Sequence, residues 1–299
     1  MVHAQPIRAA ARRGGPMTAD ARVDGPTATP FRDSIGVEPL GGGRYAADLG
    51  RHWTVGPKAH GGLLMVLMAR AGLAELDRAA PGAAPDPLAV AADFLRAPDL
   101  GPVELRAEVL KAGRTVSVAA VRLLQDDELM LTATLTAGRL PDAEPSWTDL
   151  PELPAEPPES ARNAALGRSA TGLAGVCDLW FDPSSMAFTR GEQGPPVLRG
   201  WVRPHGEPAD ALFALLAGDI LPPTVFNLGS GIGWAPTVQL TGLLRAHPAP
   251  GWLRLEARSA SVTRPWFDED VLVIDSAGRL VCQSRQLALA PRPRPGGGS

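Results

Sequence analysis

Twice along this chain one helical pattern is followed by four short strand patterns, and that order restricts the fold more than any other feature of the sequence. Arg44 to Val55 alternates as a strand after the turn signal Gly41-Gly42-Gly43. Gly61 to Asp77 is rich in Leu, Met and Ala and apolar almost all round, as a helix wrapped by a sheet must be. Leu88–Ala97, Val103–Leu110, Thr115–Gln125 and Leu129–Gly138 then read as strands, separated by Asp-Leu-Gly, Ala-Gly and Asp-Asp turns. The second half has Val197–Arg203 as strand and Pro208–Leu221 as helix. Thr237–Leu244, Trp252–Val262, Val271–Asp275 and Leu280–Ala290 follow as strands, with Ser276-Ala277-Gly278 turning between the last two. The pattern of an internal duplication predicts an α+β fold with two antiparallel sheets, each wrapping one long central helix.

Between the repeats, residues 141–165 are rich in proline and acids, which predicts an extended linker lying outside both units. The units themselves are expected at 31–140 and 166–290. Residues 1–30, rich in Ala, Arg, Gly and Pro, and 291–299, where Pro alternates with Arg before a Gly run, are expected to be disordered arms. The first of them has no apolar core and does not read as a signal peptide. The longest apolar run, Leu63 to Ala69, is far too short to span a membrane. A net charge of -3 without a basic block gives no electrostatic support for a nucleic-acid or anionic-membrane partner. Only Cys177 and Cys282 are present, which excludes a disulfide framework and points to a reducing compartment, the cytoplasm.

Asp219 breaks the pattern of the second helix. Leu212, Leu215, Leu216 and Ile220 form its apolar stripe, and Asp219 takes a position in that stripe, in the last turn before Pro222-Pro223. A carboxylate there faces the core at the helix end where the dipole disfavours it, so its pKa is expected to rise. A capping or salt-bridged aspartate at a frayed helix end is the alternative. Thr237, Gln239 and Thr241 share one face of a strand, which pattern alone reads as solvated. Gln286 shares a face with Cys282, Ser284 and Ala288, where a glutamine needs partners. In the first helix the only acids are Glu75 and Asp77, at its solvent-facing end, so that helix is expected to supply shape and no base. The five histidines lack ligand spacing, so neither a metal nor another cofactor is expected. Gly229-Ser230-Gly231-Ile232-Gly233 precedes a strand and is neither a nucleophile elbow nor a phosphate loop.

The order of several stretches resembles the double hotdog fold, and the second half is similar to the bacterial type II acyl-CoA thioesterases. The stretches are His60-Gly61-Gly62, Asp93-Phe94-Leu95-Arg96-Ala97-Pro98, Trp201-Val202-Arg203, Leu215 to Asp219, Pro236 to Thr241, Gly278 to Val281 and Ser284-Arg285-Gln286. The resemblance spans about Ile35 to Pro291. It implies hydrolysis of an acyl-CoA or acyl-carrier thioester, with Asp219 as base and Thr237 and Gln286 orienting a water. It also implies that His60, Gly61 and Gly62 bind the substrate, with a backbone N–H at the helix start meeting the thioester carbonyl and His60 a structural or carbonyl-contacting residue instead of a base. A hotdog hydratase or dehydratase and a non-catalytic acyl-thioester binder stay open, as does homo-oligomerisation. A hydratase needs a His and Asp pair, and no histidine stands near Asp219 in the sequence.

Overall fold

A computed structural model describes residues 29–164, 172–229 and 231–291. The expected arms at 1–30 and 291–299 fall almost wholly outside the described residues. The first unit contains α1 (Pro30–Ser34), β1 (Glu38–Gly41), β2 (Arg44–Leu49), α2 (Gly61–Ala79), β3 (Asp86–Phe94), β4 (Gly101–Lys111), β5 (Ser117–Gln125) and β6 (Glu128–Gly138). The second contains β7 (Cys177–Phe181), β8 (Val197–Pro204), α3 (Ala211–Ala217), β9 (Thr237–Leu244), β10 (Leu253–Arg258), β11 (Trp266–Ile274) and β12 (Leu280–Leu289). β7 went unread in the sequence, and β11 begins five residues before its expected start.

The strand order is β1-β2-β4-β5-β6-β3 in the first half and β9-β12-β11-β10-β8-β7 in the second. The strand order of β2 to β6 thus recurs in β8 to β12, and every ladder is antiparallel. The expectation of two separate sheets is corrected here. β3 pairs with β9, Leu240 opposite Ala92 and Gly242 opposite Val90, so the halves fuse into one sheet, which the two-residue strands Arg162–Asn163 beside β7 and Val262–Thr263 beside β11 bring to fourteen strands among the described residues. Each half would otherwise leave a long edge strand with unpaired backbone groups, and pairing the two edges satisfies both.

α2 lies against β4 and β5, with nearly every residue from Gly62 to Leu76 buried. It approaches so closely that a Cβ on Gly72 would stand 2.7 Å from Leu135 Cδ2. The second helix is half its expected length. Asp210 caps α3, accepting from Phe213 N at 2.8 Å, and the helix ends at Ala217. Pro222 and Pro223 explain the stop, because they lack the N–H groups that would serve the carbonyls of Gly218 and Asp219. Side chains serve them instead: Ser284 Oγ donates to Gly218 O, and His60 Nε2 lies 3.0 Å from Asp219 O. Phe31, Trp53 and Phe213 stack edge to face at 5.1 to 6.3 Å, tying α3 to the first unit.

The proline-rich stretch is fastened to the second unit. Arg254 donates to Leu153 O at 2.8 Å, Trp201 to Pro154 O at 2.9 Å, and Ala161 is buried with Trp201 and Trp252. Its extended backbone leaves carbonyls free to accept from that surface. Glu75 also departs from expectation, being only 5% exposed. Tyr45 and Arg78 donate to it, and the Arg78 bond above all holds its carboxyl below the usual range, so it is an ionised, fully engaged strut. No helix of the described residues is long and apolar enough to cross a membrane.

Candidate active site

Asp219 stands two residues beyond α3, where its N–H still bonds to Leu216 O at 3.0 Å and so continues the inward stripe for one tight turn. Its Oδ2 accepts from Gly62 N at 2.7 Å. A carboxylate of the second unit thus sits on the N-terminus of the first unit's helix. Its side chain is 11% exposed. Burial pushes the carboxyl from 3.8 up to about 7, against the lowering effect of the Gly62 bond.

The glycine pair after His60 permits this approach. A Cβ on Gly61 would lie 2.7 Å from Asp219 Oδ2, and one on Gly62 would lie 2.8 Å from Leu216 O. The second collision is with backbone, which cannot swing aside. Gly62→Ala is therefore expected to destabilise the protein by roughly 1–3 kcal/mol through overpacking, read as a lower melting temperature. An unchanged melt would mean that the two helix ends are not held this closely.

His60 is 2% exposed and caps the start of α2 without a side-chain bond to the helix. A carbonyl only accepts, so the bond to Asp219 O puts the hydrogen on Nε2 and leaves Nδ1 a bare acceptor with no protein partner among the described residues. Burial lowers its pKa to about 4, so the ring is neutral at pH 7. Its one N–H is engaged, and it has none to offer a thioester carbonyl. Gly62 N–H is likewise taken by Asp219, which leaves Gly61 N–H at the helix start.

Thr237 and Gln286 meet directly: Thr237 Oγ1 donates to Gln286 Oε1 at 2.8 Å. Simple alternation had set Thr237 on one face with Gln239 and Thr241. The ladder between β9 and β12 slips between Thr237 and Gln239, so Thr237 opposes buried Ala288 while Gln239 opposes exposed Leu287. This bulge turns Thr237 inward, and Gln239 stays outside, bonded to Thr241. Gln286 is 8% exposed on the small-residue face expected for it.

A fourth residue was missed in the sequence. Glu269 is 2% exposed on β11, where Oε1 accepts from Gln286 Nε2 at 3.0 Å and Oε2 from Thr224 N at 2.7 Å. Burial raises its carboxyl from 4.5 to about 7, and the charge of Asp219 adds to the rise, so the two carboxylates sense one another. The signal was present in the alternation, since Phe267, Glu269, Val271 and Val273 share one buried face. Asp268 and Asp270 on either side disguise it as part of an acidic run.

Comparison with known proteins adds independent findings. The acyl-CoA thioesterase N-terminal domain matches residues 49–138, and the acyl-CoA thioesterase C-terminal domain matches residues 147–290. An uncharacterised protein of Mycobacterium tuberculosis is 39% identical over 267 residues, covering 83% of this chain and 91% of its own. A crystal structure from Thermobifida fusca, a candidate thioesterase II, is 36% identical with a TM-score of 0.79, covering 88% of this chain and 100% of that one. A hot dog fold protein of Alicyclobacillus acidocaldarius, 19% identical, covers 88% of this chain and 98% of its own at a TM-score of 0.75, which speaks to the fold alone.

Proposed function

Because this chain belongs to the acyl-CoA thioesterase family, with both of its domains in one polypeptide, we propose that it hydrolyses acyl-CoA or acyl-carrier thioesters by a water that Asp219 activates. The observation that carries this reading is the Asp219 carboxylate, raised to about 7 where the two helix ends meet, with Oδ2 held by Gly62 and Oδ1 free of protein bonds among the described residues. Asp219 takes a proton from water as the water oxygen attacks the thioester carbon. The carbon–sulfur bond then breaks, and the proton passes to the departing thiolate, giving free acid and thiol. Thr237 and Gln286 hold the water, and Gly61 N–H at the positive end of α2 faces the carbonyl oxygen as charge develops on it. The two units, taken as 31–140 and 166–290 with 141–165 between them, each supply part of the site, and no metal or cofactor takes part.

A thiol-release assay over a panel of acyl-CoAs and acyl-carrier substrates tests the reading. Thr237→Ala and Gln286→Ala are each expected to slow turnover by roughly 10-fold to 100-fold, since each removes one orienting bond, and Gln286→Ala is also expected to lower the melt because it leaves buried Glu269 Oε1 without its donor. Wild-type protein that releases no thiol from any of them sinks it, and binding without turnover would make the chain an acyl-thioester binder.

One observation favours a second reading. His60 Nε2 lies 3.9 Å from Asp219 Oδ2, so the folded chain does hold a His and Asp pair, drawn from opposite halves. A hydratase or dehydratase needs that histidine to exchange protons with the acyl chain. Here Nε2–H is bound to a backbone carbonyl, and Nδ1 is buried beside Gly62. Thiol release without water addition to a 2-enoyl thioester separates the two readings.

A further inference from the structure

Glu269 has no part in the reaction as drawn above, yet it is the less accessible of the site's two carboxylates. No Lys or Arg pairs with it among the described residues. A buried carboxylate without a cation is costly, and a glutamine of nearly the same shape could accept the Thr224 N–H bond as well. Packing alone therefore does not call for an acid at this position.

What only a carboxylate does is accept at both oxygens. Facing Glu269, the Gln286 amide must present its nitrogen, and its oxygen is thereby turned to Thr237. The Thr237 hydroxyl hydrogen is then engaged, which leaves its lone pairs and the second N–H of Gln286 for a ligand. A water held for deprotonation needs one donor to its oxygen and one acceptor for the hydrogen that the base does not take, and this polarity supplies both. With the amide reversed, the donor and the acceptor would exchange places.

We propose that Glu269 is a positioning residue, which fixes the Gln286 amide so that Gln286 donates to the hydrolytic water and Thr237 accepts from it. The proposal rests on the hydrolytic reading. It differs from a structural role because its effect on turnover runs through Gln286, whereas its bond from Thr224 N serves the fold.

The test is a double-variant cycle at pH 8, with Glu269→Gln, Gln286→Ala and their combination, each checked by thermal melt. Glu269→Gln is expected to lower kcat by roughly 10-fold with KM within about twofold and no loss of stability. In the Gln286→Ala background the same substitution should change kcat by less than about twofold, because the group it positions is absent. Losses that multiply in the combination overturn the proposal. A second measurement does not depend on turnover: in protein labelled with 15N-glutamine, the Gln286 side-chain amide signal, identified by its absence in Gln286→Ala, should move in Glu269→Gln. An unmoved signal also overturns the proposal. Wild-type protein that releases no thiol while that signal moves removes the hydrolytic reading and leaves the amide orientation standing.

Discussion

Asp219→Asn is expected to abolish thioester hydrolysis while leaving the melting temperature unchanged or higher. Removing the base takes away proton abstraction, which contributes roughly 10²–10⁴-fold. The fold should tolerate the change for a specific reason. The Gly62 N–H that now meets Asp219 Oδ2 at 2.7 Å can meet an amide oxygen in the same place, while the cost of burying a charge disappears. Turnover and thermal melts are to be measured on the same purified protein, because a melted variant also loses activity. Wild-type turnover in Asp219→Asn would end the assignment of the base. A loss of activity accompanied by a fall in melting temperature would mark Asp219 as a strut between the two helix ends instead.

The pH dependence should be nearly as large. A carboxyl raised to about 7 is a base only above that value, so kcat/KM is expected to level off above about pH 8 and to fall by roughly 100-fold between pH 8 and pH 5. Glu269 titrates in the same range and feels the charge of Asp219, so the fall belongs to the pair and can be steeper than one proton allows. Stability runs the other way. Both carboxyls are raised above their ordinary values of 3.8 and 4.5, so the folded state binds more protons than the unfolded chain in the interval up to about 7. Their contribution is complete at the acid end and is lost as pH rises through about 7. Other carboxylates, Glu75 and Asp178 among them, are lowered and act in the opposite sense, so the wild-type melt alone does not isolate the effect. The difference between Asp219→Asn and wild type does, and the variant's advantage should widen by roughly 3 kcal/mol from pH 5 to pH 8. A kcat/KM that is flat from pH 5 to pH 8, or an advantage that shrinks with rising pH, contradicts the raised pKa.

The sequence by itself determined the order of the two central helices and of most strands, β7 excepted, and the buried face of α2 and of the second helical stripe. Periodicity places α2 within two residues of its observed end and puts Asp219 on an apolar stripe, and that stripe survives although α3 stops before it. Two signals lie in the sequence unread: Pro222-Pro223 lack the donors for the carbonyls of Gly218 and Asp219, and alternation along β11, read only from Val271, includes Glu269. Tertiary structure alone decided which buried faces meet. Gly62 and Asp219 are 157 residues apart, and only the docking of the two helix ends joins them, together with His60, which no local pattern pairs with Asp219. The bulge before Gln239 changes the parity of β9 without any mark in composition, which is why alternation set Thr237 among solvated residues. The fusion of the halves at β3 and β9 rests on backbone hydrogen bonds, which every residue but proline can make. A local pattern records that a side chain leaves water, because burial recurs with the period of the element, whereas the identity of its partner depends on contacts between distant segments that share no period.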